Sequence, residues 1–258
     1  MIKLARQTID IKTDDGRCDT YLSHPADQKN RPVVFLYMDA IGLRQRIFEM
    51  ADRLASSGYC VLAPNLFYRS QRIPIVDYES LLNPERLPEL FQKVMPMVSA
   101  LSTDMAKRDT EGFLNFVKML PQASSTKIGL VGYCFGGGQA LRAAGNFPTA
   151  FRAVASFHAG NLVSDAESSP HKWFPQIKAE VYVGHADLDR SMPPEQIEKV
   201  ALALKAAGVP HQTELYQGCA HVWTMSDVPA FNKDGERQHW ERLEDLFRRN
   251  LLPDPIGS

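Results

Sequence analysis

The sequence predicts an α/β fold, a mostly parallel sheet with helices on both faces. Three observations predict it. Short β-rich runs alternate with helical periodicities from one end of the chain to the other. One of those runs, PVVFLYM (32–38), is apolar throughout, as a parallel strand buried on both faces is. No Pro/Gly/Ser-rich linker interrupts the alternation, so a single domain is expected over residues 1–258.

The elements follow in order. TIDIKT, DDG and RCDTYLSHP read as two short strands around a turn. After PVVFLYM, RQRIFEMADRLASSG places Ile47, Met50 and Leu54 on one helical face and stops at Gly58. YCVLAPNL (59–66) is the next strand. Residues 67–100 contain Pro74, Pro84, Pro88 and Pro96 and are expected to be irregular, with a short helix or two at most. So long an excursion in a compact domain reads as a cap over a site. LSTDMAKRDTEGFLNFVKML is a helix capped by Ser102 or Thr103. Then come the strand KIGLVGY, a helix from about residue 135, and the strands RAVASFHAG and EVYVGHAD. PPEQIEKVALALKAAG is a helix, HQTELYQG the last strand and GERQHWERLEDLFRRNL the terminal helix. The last residues, PIGS, read as a tail.

Composition bounds the function. The 258 residues are 44% apolar and 23% charged, enough for a sizeable core. A formal net charge of -1 argues against nucleic acid or a membrane surface as partner. No apolar run approaches the roughly 18 residues of a membrane span, and MIKLARQTIDIKTDD lacks a signal-peptide core, so a cytoplasmic protein is expected. Cys18, Cys60, Cys134 and Cys219 have no CxxC or zinc-type spacing and are expected to be free thiols, with no metal site.

In such sheets ligands sit at the carboxyl ends of the strands. Four reactive residues fall there: Asp39, Cys134, Asp187 and His221. Gly132-Tyr133-Cys134-Phe135-Gly136 is G-x-C-x-G, a nucleophile elbow with cysteine in the serine position. The elbow residue is strained in a tight turn, so its neighbours two away must be small, and both are glycine. The helix N-terminus beneath it favours a thiolate. A buried inert cysteine and a phosphate-binding glycine loop are the competing readings; the loop lacks a GK[ST] ending.

An elbow nucleophile needs a base, and the base an orienting acid, in the chain order nucleophile, acid, histidine. His221, in the loop GCAH, follows the last strand and is favoured over His185, His158 and His211. Asp187, at the end of EVYVGHAD, is the expected acid, with Asp189 its rival two residues on.

Together these residues resemble the dienelactone hydrolase family of α/β-hydrolases. The resemblance rests on GYCFGG, the Cys–Asp–His order, MDAIGL, RLASSGYCVLAPNLFYR, HADLDRSMPPEQ, and AHVWTM followed by FNKDGERQHWERLEDLF. It spans Tyr21 to about Leu251. It implies an eight-stranded, mostly parallel sheet and cofactor-independent hydrolysis of small esters or lactones; a monomer or small homo-oligomer is expected. The oxyanion would be held by the N–H groups of Phe135 and Ala40. Departures from the family pattern bear on substrate. Asp39 stands where the family has a glutamate that hydrogen-bonds the resting cysteine. Met225 stands where type members have a carboxylate-gripping arginine, and His158 where an aromatic is usual. Phe135, Trp223, His158 and Arg69 are the pocket candidates, with Arg69 the nearest replacement cation. Without such a cation, neutral short esters are expected to be preferred over carboxylate-bearing lactones. A general esterase or thioesterase, or a silent hydrolase-fold protein with a redox-active cysteine, are the other classes this sequence admits.

Overall fold

The computed structural model describes residues 2–27, 30–76 and 84–252. Its centre is an eight-stranded sheet: β1 (Leu4–Thr13), β2 (Gly16–Pro25), β3 (Arg31–Tyr37), β4 (Cys60–Pro64), β5 (Ala123–Tyr133), β6 (Phe151–Phe157), β7 (Glu180–Leu188) and β8 (His211–Ala220). The spatial order is β1-β2-β4-β3-β5-β6-β7-β8. β2 runs antiparallel to both its neighbours, and every later pairing is parallel. β3 from Val33, β4, and β5 from Ile128 are apolar and buried, as central strands covered on both faces must be.

Six helices are described: α1 (Gln45–Ser56), α2 (Leu87–Ala100), α3 (Thr103–Met119), α4 (Phe135–Asn146), α5 (Pro194–Ala206) and α6 (Lys233–Leu251). α1 buries Ile47, Met50 and Leu54, the face its periodicity marks. It meets α6 on one side of the sheet, where Tyr59 packs edge-on against Phe247 and Arg53 lies over Trp240. α3 and α4 pack together, and Phe113 of α3 meets Phe35 of β3. Ser102 is the cap of α3, accepting from the Met105 N–H at 3.2 Å. Asn232 does the same for Gly235 at the start of α6.

The first hairpin is longer than the sequence suggests, with ten residues in each strand. The larger difference lies at 67–100. Residues 77–83 fall outside the described part, but 87–100 form one continuous helix, α2, rather than irregular chain. Pro88 sits in its first turn, where the missing N–H has no helical acceptor to lose. Pro96 lies inside, and the helix persists because Leu90 and Val94 bury one of its faces. The adjacent face leaves Phe91 and Met95 exposed at the mouth of a cleft. The expected tail PIGS lies outside the described residues.

Candidate active site

The cleft opens at the carboxyl ends of β3, β5, β7 and β8. Cys134 ends β5 and begins α4, with φ 52 and ψ -116, a backbone conformation that few non-glycine residues adopt. The turn is sterically possible only with glycine on either side. A Cβ on Gly132 would run into the Gly136 carbonyl, and one on Gly136 into the Met38 carbonyl. The strain lifts the thiol to the cleft while the Cys134 N–H still reaches the Phe157 carbonyl at 2.9 Å.

His221 follows β8 directly, and its Nε2 lies 3.1 Å from Cys134 Sγ. Its Nδ1 lies 2.6 Å from a carboxylate oxygen, but that oxygen is Oδ2 of Asp189, not of Asp187. β7 and β8 explain the difference. Their register slips beyond Ala186, so Leu188 pairs with Ala220 and extra residues of β8 bulge out. Asp187 turns to this bulge and accepts the Gly218 N–H at 3.0 Å, exposed to solvent. Asp189 comes after the strand ends and turns inward. Its Oδ1 accepts from both the N–H and the hydroxyl of Ser191, at 2.8 and 2.7 Å, which aims Oδ2 at the imidazole.

Electrostatics follow the geometry. Burial opposes a charged His221, yet the hydrogen bonds to Asp189 and Cys134 and their negative charge outweigh it and lift the imidazole to about 10. For Asp189 too, burial is opposed and overcome by hydrogen bonds from His221 and Ser191, leaving its carboxyl below the usual range. His158 is buried beneath His221, its ring edge-on at 5.7 Å and its Nε2 at 2.8 Å from the Thr224 hydroxyl. Burial, then the nearby His221 and His239, hold it well below the usual histidine range, so it stays neutral against the imidazolium.

The other expected residues divide. Phe135 and Ala40 line the cleft with Cys134 and His221. The Phe135 N–H lies in the first turn of α4, where helical N–H groups lack intrahelical acceptors. Asp39 lines a smaller lobe but does not hydrogen-bond Cys134. It accepts from the Ile41 N–H at 2.9 Å and takes two bonds from Arg44, at 2.8 and 2.9 Å. Arg44 also grips Asp227, with Nε 2.5 Å from Oδ2. One buried guanidinium thus ties the Ala40 loop to the loop after His221. Arg46 adds a bond to the Thr224 carbonyl at 2.6 Å and an ion pair with Glu236.

Three expected pocket residues do not line the cleft: His158, buried beneath His221, and Trp223 and Arg69. Trp223 is fully buried, packed on Tyr216 and His158, because the loop after His221 turns it into the core. Arg69 is held by Asp109 and Asp15 at 2.6–2.7 Å, which leaves no reach toward Cys134. Met225, too, is fully buried. Among the residues the motifs did not single out are Arg44, Ser191 and Arg142. For Arg44 a signal existed, since a buried Asp39 requires a nearby cation. All four cysteines are free thiols, and among the described residues no helix is long and apolar enough to cross a membrane.

Residues 18–251 match the dienelactone hydrolase family. A protein of Methylorubrum extorquens, provisionally named a carboxymethylenebutenolidase, is 25% identical over 93% of this chain and 80% of its own length. One of Synechocystis with the same provisional name is 25% identical over 95% of this chain and 99% of its own. Among solved structures, a provisionally named dienelactone hydrolase from Klebsiella pneumoniae superposes with a TM-score of 0.83, at 19% identity, over 96% of this chain and 99% of that one. That likeness bears on the fold.

Proposed function

The chain belongs to the dienelactone hydrolase family, and from that premise we propose that it hydrolyses small esters or lactones through Cys134, His221 and Asp189. The observation that carries the reading is the unbroken line from Cys134 Sγ through His221 to Asp189, with contacts of 3.1 and 2.6 Å. In the mechanism, the reactive form is the pair of His221 imidazolium and Cys134 thiolate, and the thiolate attacks the carbonyl carbon. The N–H groups of Phe135 and Ala40 receive the oxyanion, each worth on the order of 3 kcal/mol in the transition state. The imidazolium passes its proton to the leaving oxygen. His221 then deprotonates water, which attacks the thioester and frees the acid and Cys134. Asp189 fixes the imidazole tautomer and stays ionised.

The test is turnover of p-nitrophenyl acetate during titration with iodoacetamide, with Cys134→Ala as control. Activity is expected to fall in step with Cys134 labelling, and Cys134→Ala to be inactive yet folded. Turnover that survives full labelling would remove cysteine as the nucleophile. Absence of turnover with any small ester or lactone would favour a silent protein.

A further inference from the structure

The cleft has two lobes that meet at Cys134, His221 and Ala40. The smaller, about 210 Å³, is walled chiefly by Ile41, Phe91, Val222, Val228 and Pro229. The larger, about 650 Å³, runs along the side of α4 past Gly138 and Arg142. Among the described residues no carboxylate lines this larger lobe, and Arg142 is its one permanent cation.

Arg142 differs from the protein's other withdrawn arginines. Arg44, Arg46 and Arg69 each face carboxylates. Arg142 has none among the described residues. Its Nε donates to the Ser168 carbonyl at 2.8 Å, which fixes the plane of the guanidinium. The side chain folds back toward the start of α4, so that a Cβ on Gly138 would lie 3.4 Å from Nη1. Gly138 is one helical turn beyond Cys134, about 6 Å along the axis. The absence of a side chain there leaves the fork open to the lobe. Burial alone pulls the guanidinium down to about 10, still charged at neutral pH. A cation drawn from water without a counter-charge is costly until an anion arrives.

We propose that Arg142 is a specificity-determining residue, binding a carboxylate of the substrate in the α4 lobe while the substrate's apolar half occupies the Phe91 lobe. The proposal rests on the cysteine-hydrolase reading of the same site. It replaces the cation that neither Met225 nor Arg69 supplies, and it reverses the preference for neutral esters that their sequence positions suggest. The guanidinium acts on a group remote from the scissile bond, so its contribution falls mainly on KM.

The experiment compares p-nitrophenyl monoadipate with the neutral p-nitrophenyl hexanoate, in the unaltered protein, Arg142→Met and Arg142→Lys. The unaltered protein is expected to favour the monoadipate by about tenfold or more in kcat/KM, as a charge-assisted bidentate contact provides. Arg142→Met should remove that ratio, chiefly through KM, and Arg142→Lys should restore part of it. A merely structural role would lower both esters alike. A second arm reads binding without turnover: calorimetry of adipate monoamide against hexanamide on Cys134→Ala, with and without Arg142→Met. Arg142-dependent binding without any turnover would retain the anion site and remove the hydrolase reading. Turnover that depends on Cys134 with an ester ratio unmoved by Arg142→Met would overturn the proposal and leave the hydrolase reading standing. Failure of both arms to depend on Arg142 overturns it outright.

Discussion

Asp187 and Asp189 stand two residues apart, and only their surroundings separate their roles. Asp189→Asn is expected to lower kcat by about 10⁴, because an amide cannot hold the Nδ1–H tautomer. Asp187→Asn should leave kcat near that of the unaltered protein, since its carboxylate meets the Gly218 N–H in solvent. Steady-state kinetics of the two variants decide between them; equal losses would remove the assignment. The elbow cysteine and the histidine were legible because motif and chain order specify them. The carboxylate that meets His221 was not, because strand length and the β8 bulge are matters of pairing that a single strand's residues do not encode. Arg69 misled for a similar reason: its place after a strand is visible, its capture by Asp15 and Asp109 is not. His221 also predicts a pH response. Its folded value, near 10, lies above the unfolded one, so its stabilisation is complete below about pH 6.5 and is lost as pH rises through about 10. Activity that needs the imidazolium as proton donor should fall over the same upper limit, measurable as kcat/KM against pH.

Among the elements, the Ala40 loop and the loop after His221 come from opposite ends of the chain and are joined by Arg44. Arg44→Met would leave two buried carboxylates without their partner. The expected loss is about 3–5 kcal/mol, read as a lower midpoint in denaturant. Asp39→Asn/Asp227→Asn in an Arg44→Met background should recover part of it, since the uncompensated charge is then gone. No recovery would mean that packing, not charge, dominates the brace. Most helices and strands were legible, because β3 and α1 carry patterns that only one packing satisfies. α2 was obscured by Pro88 and Pro96, since proline weighs against a helix locally while the burial of Leu90 and Val94 is a tertiary gain.

At the scale of the whole molecule, three buried histidines set an acid limit. Burial lowers His158 and His239 well below the ordinary value and His185 to about 4. The unfolded chain therefore binds more protons than the folded one below about pH 6.5, and stability drains away as pH falls. His185 alone accounts for about 3 kcal/mol at pH 4 by this linkage. Neither of its ring nitrogens has a partner among the described residues, so His185→Leu should flatten the acid side of a Tm–pH curve. An unchanged acid side would place the sensitivity elsewhere. The strand order carries a different consequence, for heat. β5, which bears the thiol, lies in the middle of the sheet, whereas β8, which bears the imidazole, is its open edge and mostly half-exposed or exposed. Edge elements open locally at a smaller free energy than central ones. On warming, His221 and Cys134 are expected to part while the sheet is still intact. Esterase activity should fade at a lower temperature than far-UV circular dichroism, return on brief cooling, and be accompanied by slower iodoacetamide capture as the thiol loses its base. Coincident curves would mean that edge and centre give way together. Otherwise the working temperature of this hydrolase is set at its rim, and stabilising its core would leave that temperature where it is.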